Sequence, residues 1–64
     1  MAERPFLTSI EVSERYDIPT ETLAYWRNSA PPRGPAFHRI GRAVRYYVAD
    51  LEAYEKAQRV ETAA

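Results

Sequence analysis

The sequence has no cysteine, one histidine, one lysine and two glycines. The lack of cysteine removes disulfides, thiolate metal ligands and thiol nucleophiles together. One imidazole, His38, cannot build a histidine-rich metal site alone. Long apolar runs are missing as well. None approaches the roughly 20 residues that span a bilayer, and no signal-peptide pattern opens the chain. What remains is a soluble domain, expected in the cytoplasm and off the membrane, with no metal and no cofactor. At 64 residues it is one small domain, and such a chain buries only about 60% of the surface its unfolded form exposes. With 45% hydrophobic and 28% charged residues, it reads as folded rather than disordered.

The net charge of zero hides a strong pattern. Residues 1–19 set Arg4 and Arg15 against Glu3, Glu11, Glu14 and Asp17, a net of −2. Residues 20–47 set Arg27, Arg33, Arg39, Arg42 and Arg45 against Glu21, a net of +4. Residues 48–64 set Lys56 and Arg59 against Asp50, Glu52, Glu55 and Glu61, a net of −2. A basic middle between acidic flanks suggests an anionic partner for the middle. Eight of the nine cations are Arg, whose planar fork matches phosphates and base edges better than Lys does. A solubilising surface is the alternative, and charge by itself does not choose.

The pattern predicts a short helix over 8–16. Thr8 and Glu11 have capping-box spacing, and Val12 and Tyr16 share a face, with Leu7 near by. Ile10 falls off that stripe, either exposed or against another element. Asp17-Ile18-Pro19 then breaks the helix, since Asp tolerates the left-handed conformation and Pro suits the start of a new helix. A second helix is expected over 20–28, with Leu23 and Trp26 inward and Thr20, Glu21, Ala24, Tyr25 and Asn28 on the opposite face or its edge. Residues 29–36, with Pro31, Pro32, Gly34 and Pro35, form an extended connector. Two β-prone runs, 37–40 and 43–47, flank Gly41-Arg42 and read as a tight hairpin. Its alternation puts Arg39 with Phe37 on one face and His38 with Ile40 on the other, without deciding which is buried. A last helix is expected over about 49–59, with Asp50 and Glu52 in its first turn, Leu51 and Tyr54 inward, and fraying residues after it. The expected core is Leu7, Val12, Tyr16, Ile18, Leu23, Trp26, Phe37, Ile40, Tyr46, Leu51 and Tyr54.

Two short helices about a three-residue turn, then a hairpin and a helix, give an α+β fold that is mostly helical: a winged helix-turn-helix with a two-stranded hairpin wing and a C-terminal helix. Several stretches carry this further: Leu7-Thr8, Ile18, Thr22-Leu23, Trp26-Arg27, the prolines, the run Arg39-Ile40-Gly41-Arg42-Ala43-Val44-Arg45-Tyr46, and Asp50-Leu51-Glu52-Ala53-Tyr54. Across residues 6–54 this ordered set resembles the excisionase and MerR-like DNA-binding domains. The resemblance implies duplex-DNA binding, with the second helix in the major groove and the wing beside the minor groove. Phage and mobile-element excisionases of this kind bend attachment-site DNA and favour excision by a partner integrase; they are accessory factors rather than recombinases. The chain departs from the family at Asp17, where Gly is usual, at Pro19, where Ser is usual, and near Tyr25, where a basic residue is frequent.

The DNA-binding candidates follow. Glu21 suits a cytosine amino group or the helix dipole, and Thr20 a thymine methyl, a phosphate or a cap. Tyr25 has no core to join and points to phosphate or base. Asn28 reads adenine or ends the helix. Arg27 reaches phosphate or a nearby carboxylate. Arg39, Arg42 and Arg45 arm the hairpin, and a guanidinium at its tip suits a narrow, electronegative minor groove. A charged edge that resists aggregation is the plainer reading of the same residues. Arg33 is a further phosphate candidate, and His38 a weaker one. Trp26 belongs to the core.

No nucleophile with a base, phosphate loop or metal-ligand cluster supports an enzyme. The sequence therefore predicts an excisionase that binds duplex DNA, in several copies on repeated sites, together with an integrase. The rivals are a small transcriptional regulator of the same fold and an Arg-rich module that docks an acidic protein. The lack of an effector-binding or long dimerisation region weighs against a full MerR-type regulator.

Overall fold

The computed structural model describes residues 5–61. Six elements follow one another: β1 (Phe6–Leu7), α1 (Ser9–Tyr16), α2 (Thr20–Arg27), β2 (His38–Ile40), β3 (Ala43–Tyr47) and α3 (Val48–Gln58). The fold is α+β, with three helices and a three-stranded antiparallel sheet of order β1-β3-β2. The sheet is larger than the expected two-stranded hairpin, because Phe6 and Leu7 pair with Tyr47 and Tyr46 on the free side of β3. The edge is closed further by the Val48 amide, which donates to the Pro5 carbonyl at 2.8 Å.

Local chemistry accounts for the first half. The Thr8 hydroxyl accepts from the Glu11 amide at 3.2 Å, and Glu11 accepts from the Thr8 amide at 2.9 Å, a complete capping box. Helix α1 ends where Asp17 turns left-handed, at φ 55 and ψ 46. The Asp17 and Ile18 amides both donate to the Ser13 carbonyl, and the Ser13 hydroxyl donates to the Ile18 carbonyl. This knot sets the angle between α1 and α2. Pro19 opens α2 with its fixed φ of −65 and accepts from the Thr22 amide.

The connector folds back on the end of α2. The Ser29 and Arg33 amides both donate to the Trp26 carbonyl. Gly34, at φ +80, lies flat on the Trp26 ring; a Cβ there would sit 2.5 Å from Trp26 Cε3. Pro35 is buried beyond it, and the Ala30–Pro31 bond is cis. In the hairpin, Ile40 pairs with Ala43, so Gly41-Arg42 is a two-residue turn. Gly41 takes φ 61 and Arg42 does not, the pattern of a type II′ turn. Helix α3 begins directly after β3 without a side-chain cap, one residue before its expected start.

The core draws one fully buried side chain from each of four elements: Val12, Leu23, Tyr46 and Leu51. Leu7, Tyr16, Ile18, Trp26, Phe37 and Val44 pack around them, half-buried. Tyr54 is half-buried too, its ring 6.5 Å from that of Tyr16. Ile40 does not join the core as expected; it is 55% exposed. The register explains this. Arg39 and Phe37 share the inner face of the sheet, so Ile40 points outward with His38 and Arg45. Ile10 is likewise exposed. The expected fraying of the last residues falls, from Thr62 onward, outside the described residues. Among those described, no helix is long and apolar enough to cross a membrane.

Candidate nucleic-acid interface

Helix α2 presents Thr20, Glu21, Tyr25 and Asn28 to solvent along one side, while Leu23 is sealed beneath. Thr20 and Glu21 occupy the first turn, and Asn28 closes the helix as its C-cap. Tyr25 is 61% exposed. The folded-back connector sets the Arg33 guanidinium over the Tyr25 ring, 5.7 Å from its centroid. That juxtaposition of a helix residue with a connector residue was not legible from spacing, because it depends on the Arg33 amide reaching the Trp26 carbonyl.

Arg27 is placed differently from its neighbours. Its Nη1 donates to Tyr46 Oη at 2.7 Å and to Ser9 Oγ at 3.4 Å. The guanidinium thus supplies the partner for the hydroxyl of a buried tyrosine, whose burial without one would be costly. It is half-buried, has no carboxylate partner among the described residues, and ties α2 to β3 and α1.

The hairpin carries the remaining candidates. Arg42 is exposed at the turn, and Arg39 is exposed with its guanidinium 5.8 Å from the Phe37 ring centroid. Arg45 is half-buried, opposite His38, and donates to the Val44 carbonyl at 2.8 Å. His38 packs against Tyr47, the rings tilted by 40° with centroids 4.3 Å apart.

Charge pairing separates the middle of the chain from its flanks. Arg15 bonds Glu55 twice, at 2.7 and 3.1 Å, and Arg59 meets Glu61 at 3.6 Å. Arg33, Arg39, Arg42 and Arg45 have no carboxylate partner among the described residues. The Arg15 guanidinium and the Tyr16 hydroxyl hold the Glu55 carboxyl below the usual glutamate range. Burial, and then the bond to Glu55, push the Tyr16 hydroxyl up. This cluster joins α1 to α3 and lies beside an open, mostly apolar cleft of about 370 Å³ lined by Tyr16, Ile18, Trp26 and Tyr54. No three acidic or histidine side chains among the described residues gather as a metal site.

Compared with known families, the chain matches no family model, and no curated protein matches it significantly.

Proposed function

We propose that this chain is a small DNA-binding protein in which α1 and α2 form a helix-turn-helix and the β2–β3 hairpin is the wing. The observation that carries the reading is that the connector and hairpin arginines, Arg33, Arg39, Arg42 and Arg45, have no carboxylate partner among the described residues, whereas Arg15 and Arg59 are both paired. Unpaired guanidinium groups on a protruding hairpin are suited to phosphates and to the electronegative minor groove. The outward side of α2 offers Thr20, Glu21, Tyr25 and Asn28 to base edges. Arg27 fixes α2 against β3 through its Nη1, and the rest of its guanidinium stays a phosphate candidate.

The excisionase role rests on the resemblance of the hairpin and second-helix segments. On this reading the protein is an accessory factor that bends attachment-site DNA and works beside an integrase. Binding of labelled duplex, followed by fluorescence anisotropy across a salt series, tests the first part. Affinity that falls steeply as salt rises supports it, because each neutralised phosphate releases counterions. No binding at low salt overturns it and leaves the arginines as a docking surface for an acidic protein. The second part is read from integrase products: a shift toward excision supports it, and tight DNA binding with an unchanged product ratio points to a transcriptional regulator.

A further inference from the structure

Among the described residues, one exposed large aliphatic side chain stands at the hairpin turn. Ile40 is 55% exposed, one residue before the hairpin turn. Its cross-strand partner is Ala43, whose methyl covers little of it, and its next neighbour is Gly41, with no side chain. His38, two residues back on the same face, has its ring against Tyr47 instead. Arg39, on the opposite face of the strand, and Arg42, in the turn, flank the Ile40-Gly41 step; both are exposed and without carboxylate partners among the described residues. Other exposed aliphatics lie elsewhere: Ile10 is on the flank of α1, and Val60 follows α3.

An aliphatic group on a narrow protrusion between cations has a defined use on a duplex. Guanidinium groups are drawn into the minor groove, and an apolar side chain carried in with them can enter between base pairs and unstack them. We infer that Ile40 is such a wedge: on binding, its side chain inserts at a base step from the minor groove while Arg39 and Arg42 meet the flanking phosphates. The inference rests on the duplex-DNA reading above, and it locates the bending in one side chain. Inserted wedges of this kind kink a duplex by about 20–90°.

The test uses short duplexes with 2-aminopurine at pyrimidine–purine steps, which unstack most readily, and a dye pair on their ends. Saturating wild-type protein should raise the 2-aminopurine fluorescence and bring the ends together. Ile40→Ala, also at saturation, should lose most of both signals with its melting temperature unchanged. Ile40→Leu should restore them. Wild-type signals from saturated Ile40→Ala, or bound wild-type protein that alters neither signal, would overturn the wedge and leave DNA binding standing. No wild-type binding at low salt would overturn the DNA reading and the wedge with it.

Discussion

At Asp17 the backbone sits in the left-handed region, where a side chain with a Cβ costs roughly 1–2 kcal/mol, least for Asp and Asn. Asp17→Gly should hold or raise the melting temperature, and Asp17→Val should destabilise by about 2 kcal/mol, as read by urea unfolding. Gly34 is constrained twice, by its positive φ and by the Trp26 ring. Gly34→Ala should therefore cost about 1–3 kcal/mol, and a change of Trp26 fluorescence should accompany the loss. Arg42 is exposed in the turn, and its side chain makes no hydrogen bond or ion pair among the described residues. Arg42→Ala should leave the melting temperature alone and reduce the salt slope of DNA binding by about 1; equal slopes for the two proteins would remove Arg42 from the interface.

Helix α1 and helix α3 are clasped by Arg15, Tyr16 and Glu55. Because Glu55 ionises more readily in the folded chain than in the unfolded one, the clasp stabilises above the ordinary glutamate range and fades as pH falls through the lowered folded value. The melting temperature of the wild type should drop more steeply on acidification than that of Glu55→Gln. Parallel curves would mean that this partly exposed clasp adds nothing, as many surface ion pairs do. Which elements the sequence discloses depends on how local their causes are. The Thr8–Glu11 box, the Asp17 turn and the Gly41-Arg42 turn are written in adjacent residues, and all three form. Strand β1 is not, since two residues carry no readable alternation and its identity comes from Tyr46 and Tyr47, some forty positions away. The same limit applies at Ile40, whose side was undecided until the register placed Phe37 and Arg39 inward. It applies again to Arg27, whose bond to the Tyr46 hydroxyl joins residues nineteen positions apart and shows in no local pattern.

For the molecule as a whole, zero net charge means that binding to an anion must come from the distribution of charge rather than its sum. With Arg33, Arg39, Arg42 and part of Arg45 meeting phosphates, the logarithm of the affinity should fall with that of salt at a slope of about −3. A slope near zero would mean that contact with DNA does not run through these arginines. The bond from Arg27 to Tyr46 has a mechanical side as well. It locks the last turn of α2 to the central strand, from which the hairpin springs. Helix and hairpin are thereby two jaws of one caliper, tied to each other by that bond. On the proposed reading the duplex is then the compliant body of the pair. The kink proposed at Ile40 is what seats the duplex against both jaws, at an elastic cost of about 1–6 kcal/mol, and sequences that flex easily would be gripped in preference to stiff ones that offer the same bases.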